Sequence, residues 1–279
     1  MTLTIGSLFS GFGGLELGLE REGYGPVLWQ VEKDPYCRAV LAKHWPGVPR
    51  FNDVREVGAE LPNVDLLCGG FPCQDVSGAG LGAGLAGERS GLWYEFRRIV
   101  EALSPAVVLV ENVASGTRRW LPHVRRDLHL LGYRTRAFSL SAAELGAPHL
   151  RRRVFVIAYS DRLGLRLKPR RGSGTRRSRA PKPADDGVTR NVATVGDPVR
   201  DGRSRAEGQS YERRAEPATG GWWASEPAVG RVVDGVSGGL GGRKRRAQLR
   251  GLGNAVTPPQ AQTIARVMRA SLPSSKEKA

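Results

Sequence analysis

The residue best suited to covalent chemistry is Cys73, in the segment DLLCGGFPCQDVSGAG that runs from Asp65 to Gly80. An apolar run, Val64 to Cys68, reads as a buried strand that Gly69-Gly70 should end, and a glycine-rich loop follows. Pro72 fixes its own backbone and restricts its neighbour, so the Pro72-Cys73-Gln74 turn presents a thiol at a strand's end. A thiolate held there is a nucleophile able to form a covalent intermediate. The other reading of a lone cysteine is a small buried hydrophobe. Glu111 is the second candidate. It follows the continuous apolar run PAVVLV directly, and a carboxylate at the end of a buried strand needs a partner or a task.

Two more acids stand at predicted strand ends. Glu32 ends the strand Pro26 to Val31, where a carboxylate can accept both hydroxyls of an adenosine ribose. Alternatively it caps the helix predicted over Pro35 to His44. Asp53, in FNDVREV, lies where a third strand would bring it to the same edge, able to accept from an adenine amino group.

These side chains need a scaffold, and the chain alternates strand and helix in the required way. Residues 3–9 read as a strand, SGFGG as a turn, and LELGLEREG as a helix. Gly11, Gly13 and Gly14 allow close approach of a ligand to the backbone, and the helix offers its first amides to something negative. The same glycines can serve tight packing alone. Helices are predicted over 88–103 and 119–132, and strands over 105–110, 133–140 and 153–158. From about Ser160 to Trp222 arginine, glycine, proline and serine dominate and apolar periodicity is lost, so this insert is expected to be partly disordered. A last amphipathic helix follows Pro258-Pro259.

The 279 residues suffice for one large domain or two smaller ones. Three cysteines, Cys37, Cys68 and Cys73, have neither disulfide-framework nor metal-ligand spacing, which predicts reduced thiols, no metal and a cytoplasmic setting. No leader or membrane span is expected. The net charge of +16 points to a polyanionic partner, nucleic acid before others, with a merely soluble basic surface as the bland alternative. Arginines crowd the stretch from Arg151 to Arg179, where Asp161 is the one acid.

Taken in order, the motifs resemble those of the DNA cytosine-5 methyltransferases, over residues 3–158 and roughly 228–268. LFSGFGGLELGLE resembles the cofactor loop, Glu32 the ribose-binding acid, Asp53 the adenine-binding acid, and GGFPCQDVSGAG the nucleophile loop. ENV at 111–113, Arg151 and Arg153 as Arg-x-Arg, and GNAV at 253–256 complete the set. Three features depart from the family pattern: His149 stands where the family carries glutamine, GRVVDGV replaces the usual motif ahead of GNAV, and the insert is short.

The resemblance implies an α/β fold: a Rossmann-like, doubly wound, mostly parallel sheet binding S-adenosylmethionine. Residues 1–160 and 247–279 would form the catalytic domain, and 161–246 a small, partly irregular target-recognition region. It implies that Cys73 adds to C6 of a flipped cytosine and that Glu111 hydrogen-bonds N3 and the exocyclic amine. Arg153 would bind O2, and Arg151 would orient the acid or the backbone. Phe9, Gly11, Gly13, Gly14, Glu32, Asp53 and Asn254 would hold the cofactor. The partner would be double-stranded DNA, with a cognate restriction endonuclease as a separate companion protein and a monomeric state expected. Two neighbouring readings are a transfer-RNA cytosine-5 methyltransferase and a DNA-binding protein that keeps the pocket without turnover. A nicotinamide-dependent oxidoreductase would leave the Pro-Cys-Gln loop and ENV unexplained.

Overall fold

The computed structural model describes residues 3–72, 91–161, 193–194, 252 and 255–271. Cys73, Asn254 and nearly all of 161–246 lie outside these residues. The described strands are β1 (Ile5–Leu8), β2 (Val27–Val31), β3 (Arg50–Phe51), β4 (Leu66–Gly70), β5 (Val107–Val113), β6 (Tyr133–Ser141), β7 (Arg152–Ser160) and β8 (Ala193–Thr194). They form one sheet in the order β3-β2-β1-β4-β5-β7-β6-β8. The first five in that order run parallel, and β7, β6 and β8 are joined antiparallel. The chain therefore has the expected α/β, doubly wound architecture, with an antiparallel flank beside β5.

Helices α1 (Gly14–Arg21), α2 (Pro35–His44), α3 (Leu92–Leu103), α4 (Thr117–Leu130) and α5 (Pro258–Ser271) cover the sheet. Helix α2 starts where the sequence says it should: Asp34 accepts the amides of Tyr36 and Cys37, and Pro35 occupies the first turn. On one face Trp93, Phe96, Ile99 and Val100 of α3 and Trp120, Val124 and Leu128 of α4 bury the outer side of β4 and β5. Leu15 and Leu19 of α1 with Ala261, Ile264 and Met268 of α5 bury the other. Residues alternate between these two cores along each strand, and for that reason PAVVLV is apolar throughout.

Helix α5 returns to the start of the chain. At Gly18 a Cβ would stand 2.3 Å from the Cβ of Ala261 and 2.7 Å from the carbonyl oxygen of Pro258, so α1 and α5 meet almost backbone to backbone. Arg266 adds an ion pair with Glu22 at 2.9 Å.

Three expectations change. Gly69 and Gly70 continue β4 instead of ending it, and β5 runs on through Glu111-Asn112-Val113. The cause is shared: β4 and β7 flank β5, so Gly70 pairs with Glu111 and Arg153 with Val113 and the ladder extends past the apolar run. Within the arginine-rich insert, Ala193–Thr194 pair with Phe138 and Ser139 as an edge strand.

Candidate active site

The period of two that builds the core also assembles the site. Val107, Leu109 and Glu111 share one face of β5, and Arg153, Phe155 and Ile157 share the same face of β7. Glu111 and Arg153 therefore converge, with the guanidinium Nε 2.8 Å from the carboxylate Oε1. Both side chains are buried, 7% and 9% exposed respectively. The Nε–H is not aligned along this particular contact, which is an ion pair. Burial pushes the Glu111 pKa up to about 7 against the opposing pull of Arg153 and Arg151. A carboxyl poised there can hold or release a proton near neutrality.

Gly70 makes room for this acid. A Cβ on Gly70 would stand 2.4 Å from Glu111 Oε2, and no side chain fits between them. Gly70 lies two residues before Pro72, the last described residue ahead of Cys73. Asn112, on the opposite face of β5, secures the residue between them: its Nδ2 donates to the carbonyl oxygen of Phe71 at 3.1 Å and its Oδ1 accepts the Val113 amide at 2.7 Å. Sequence reasoning passed over Asn112. Its place one residue after a buried acid, facing the other way, was the available signal.

Arg151 and Arg153 part company. The Arg151 guanidinium donates to the carbonyl oxygens of Leu252 at 2.7 Å and Ala255 at 2.8 Å. Of the two expected roles, the described geometry shows the one toward backbone. The Arg151 carbonyl in turn accepts Gln260 Nε2 at 2.9 Å, so this residue fastens the approach to α5 against the sheet. Burial, then the charge of Arg153, depresses the Arg151 pKa. His149 is exposed on the stretch leading into β7.

At the carboxyl ends of β1 and β2, Glu32 Oε2 accepts the Gly11 amide at 2.7 Å and Oε1 the Asp34 amide at 2.8 Å. Burial raises the Glu32 pKa, and these two amides oppose the rise. Asp34, not Glu32, caps α2; the Glu32 carboxylate instead ties the glycine turn to the residue that caps this helix and keeps lone pairs for further donors. Phe9, held at a φ of 54°, stacks on Phe96 with ring centroids 6.5 Å apart.

The three glycines separate. Gly11 has a φ of 56°, and a Cβ there would meet nothing within 4 Å, so open space adjoins the backbone. At Gly13 a Cβ would strike Trp45 at 2.4 Å, and at Gly14 the carbonyl oxygen of Val256 at 2.1 Å. Protein packing accounts for the glycines at 13 and 14.

The third strand is two residues long, and Asp53 follows it as the cap of a short 3-10 turn, accepting the Arg55 amide at 3.1 Å. Lys33 lies 3.0 Å from its Oδ2 and Arg55 3.8 Å. Burial acts to raise its pKa, but the Arg55 amide and Lys33 outweigh it and hold the carboxyl below its usual value. Among the described residues no helix is long and apolar enough to cross a membrane, and no cluster of His, Cys, Asp or Glu could hold a metal ion.

A doubly wound sheet with a buried acid–arginine pair at its carboxyl edge and a glycine turn at its first strand defines a class I methyltransferase frame. The chain belongs to the C-5 cytosine-specific DNA methylase family, whose model matches residues 3–216. It is 39% identical over 160 residues to the Type II methyltransferase M2.BsuMI of Bacillus subtilis, a match covering 54% of this chain and 41% of that protein. It is 32% identical over 163 residues to M.HhaI of Haemophilus parahaemolyticus, covering 57% and 49%. The chain thus spans about half the length of these curated relatives. Among solved structures it resembles a protein encoded within an E. coli prophage and assigned as a DNA modification methyltransferase, at 29% identity and a TM-score of 0.50, over 59% of this chain and 48% of that one. DNMT2 of Spodoptera frugiperda shares the fold, at 21% identity and a TM-score of 0.51, over 60% and 53%.

Proposed function

We propose that this protein transfers a methyl group from S-adenosylmethionine to C5 of cytosine in duplex DNA. The observation that carries the reading is the buried Glu111–Arg153 pair, set over Gly70 at the root of the Pro72-Cys73 loop. Cytosine C5 is too weak a nucleophile until something adds across the 5,6 bond. Cys73 supplies its thiolate to C6. Glu111, with a pKa near neutrality, gives a proton to N3 and accepts from the exocyclic amine, and so makes C6 more electrophilic. Arg153 serves twice: it fixes the acid and directs further N–H donors at the O2 oxygen, where negative charge develops. Once C5 carries the methyl group, the C5 proton passes to solvent water, N3 returns its proton to Glu111, and Cys73 leaves C6 as a thiolate.

Glu32, Phe9 and Gly11 are the residues that would hold the cofactor, with the Glu32 carboxylate for the ribose and the open backbone at Gly11 for the methionine end. Asp53 and Asn254 extend this set on the family pattern, while Gly13 and Gly14 shape the turn by packing. When bound, S-adenosylmethionine supplies the electrophilic methyl group. The target base has to leave the helix to reach Glu111, which costs a few kcal/mol, and phosphate contacts can offset that cost. We assign residues 161–246 to target recognition: the arginine-rich part grips phosphates, and the stretch from Trp222 to Arg246 reads bases. We expect a monomer acting in the cytoplasm, with a restriction endonuclease as a separate companion.

Transfer of labelled methyl groups to duplex DNA, with transfer RNA as the competing acceptor, tests the substrate. Cys73→Ser should abolish transfer while cofactor binding persists. DNA carrying 5-fluorocytosine at the target should become covalently attached to the wild type. Turnover by the serine variant would rule out the thiol as the reactant.

A further inference from the structure

Beneath the glycine turn lies a row of polar side chains that the proposed reaction does not use. Gln30 of β2, Ser7 of β1 and Cys68 of β4 are direct cross-strand neighbours, all fully buried on the α1 face of the sheet. Glu16, also fully buried, lowers its carboxyl onto this row from the third position of α1. Gln30 Nε2 donates to Glu16 Oε1 at 3.4 Å. That leaves Glu16 Oε2 and Gln30 Oε1 buried and without hydrogen-bond partners. A carboxylate oxygen and an amide oxygen are both acceptors and can satisfy each other only if one carries a proton.

Among the described residues no positive charge bears on the Glu16 carboxyl. The groups that bear on the Glu16 carboxyl are the hydroxyls of Ser7 and Ser10, its own backbone amide, Gln30 and the thiol of Cys68, and the last is itself pushed to high pKa by burial. Ser10 spends its proton on Ser7 Oγ at 2.8 Å. From α5 and its approach, Val256 and Ala261 contribute backbone and methyl groups to this face. An ionised Glu16 would be a desolvated charge with no counter-ion, and burial accordingly raises its pKa.

We propose that Glu16 stands in the core as a neutral carboxylic acid, donating from Oε2 to Gln30 Oε1 while Gln30 Nε2 donates back to Oε1, and that this acid–amide pair positions the cofactor turn. Two opposed hydrogen bonds then satisfy both orphaned oxygens and couple α1 to β2. The turn lies between them: Ser10 leads into Gly11, whose amide is held by Glu32. Neutrality also matters to a ligand. A carboxylate in the first turn of α1 would cancel the positive end that the helix offers to an anion. This second half rests on the proposed cofactor.

The test compares the full-length wild type with Glu16→Gln, which keeps two hydrogen bonds as an amide–amide pair. A folded-state pKa above the ordinary 4.5 means stability is fully present below that value and falls as pH rises through the folded pKa. The melting temperature of Glu16→Gln minus that of wild type should therefore be near zero at acid pH and widen steadily as pH rises toward 9. The wild type at pH 7 should show an infrared carboxylic-acid band that Glu16→Gln lacks. If that variant fails to fold, persistence of the band in Glu111→Gln decides the same point. A wild type with no such band and no relative loss of stability has an ionised Glu16, held by a buried water or otherwise, and overturns the pair.

For the positioning role, the Kd for S-adenosylhomocysteine should rise by up to about tenfold per pH unit in the wild type above the Glu16 pKa. It should stay level in Glu16→Gln. Level binding in both proteins overturns the positioning role while leaving the pair intact. No binding in either overturns the cofactor reading itself, and the melting and infrared series still decide the pair.

Discussion

Asn112 holds the carbonyl oxygen of Phe71 across 3.1 Å, on the side of β5 away from Glu111, so consecutive residues of one strand serve the acid and the root of the nucleophile loop. Asn112→Ala removes this buried amide and strands two backbone groups, at a cost of about 1–3 kcal/mol of stability. Loosening the approach to Cys73 should also slow single-turnover methyl transfer on the order of 10²-fold at saturating cofactor. Cofactor affinity should not change. A variant that is destabilised but transfers at the wild-type rate would leave Asn112 a purely structural residue.

With the proposed role, Glu111 should set the alkaline limb of the pH profile. Its carboxyl is raised from 4.5 to about 7, so the proton-donating form dominates below about 7 and disappears above it. The kcat/KM of the wild type should fall about tenfold per pH unit beyond that point. Glu111→Gln should be slower by roughly 10²–10⁴ and lack this limb. An unchanged alkaline limb in the variant would assign the titration to another group.

Glu32→Ala separates binding from chemistry. If Glu32 contacts ribose in ground state and transition state alike, as proposed, its loss should raise KM for the cofactor and leave kcat nearly constant. The Gly11 and Asp34 amides also lose their shared acceptor, so the turn itself should loosen in hydrogen exchange. A large fall in kcat with unchanged KM would move Glu32 out of the cofactor pocket.

Arg151→Ala should release the approach to α5. Charge-assisted hydrogen bonds from its guanidinium to Leu252 and Ala255 contribute about 2 kcal/mol or more. Faster amide exchange in α5, with the Glu111 pH limb retained, is the expected signature. Exchange protection equal to wild type would show that the contacts between α1 and α5 hold this helix without Arg151.

Much of the frame was legible in the sequence because it follows from period and punctuation. PAVVLV reads as a doubly buried strand, Pro35 as a helix start, and strand–glycine turn–helix as the opening of a doubly wound sheet. The order of motifs marked Glu111 and the two arginines as candidates by residue type, with Cys73 outside the described residues. What sequence could not separate was neighbours of the same type, since partners are set by register between strands far apart in the chain. Arg153, in β7, faces Glu111, whereas Arg151, just before β7 at a φ of 30°, faces a carbonyl 104 residues away. Gly11 adjoins open space while Gly13 and Gly14 are pressed by Trp45 and Val256, and nothing local distinguishes them. Asp53 reads as an open acid at a strand end until Lys33, at the end of another strand, is brought within 3.0 Å. Glu16 looks like an ordinary first-turn acid on a surface helix; packing of α1 onto the Gln30–Ser7–Cys68 row turns it inward. Local chemistry is written in residue type and spacing, whereas charge state and partner depend on what the fold places within a few ångströms and keeps from water.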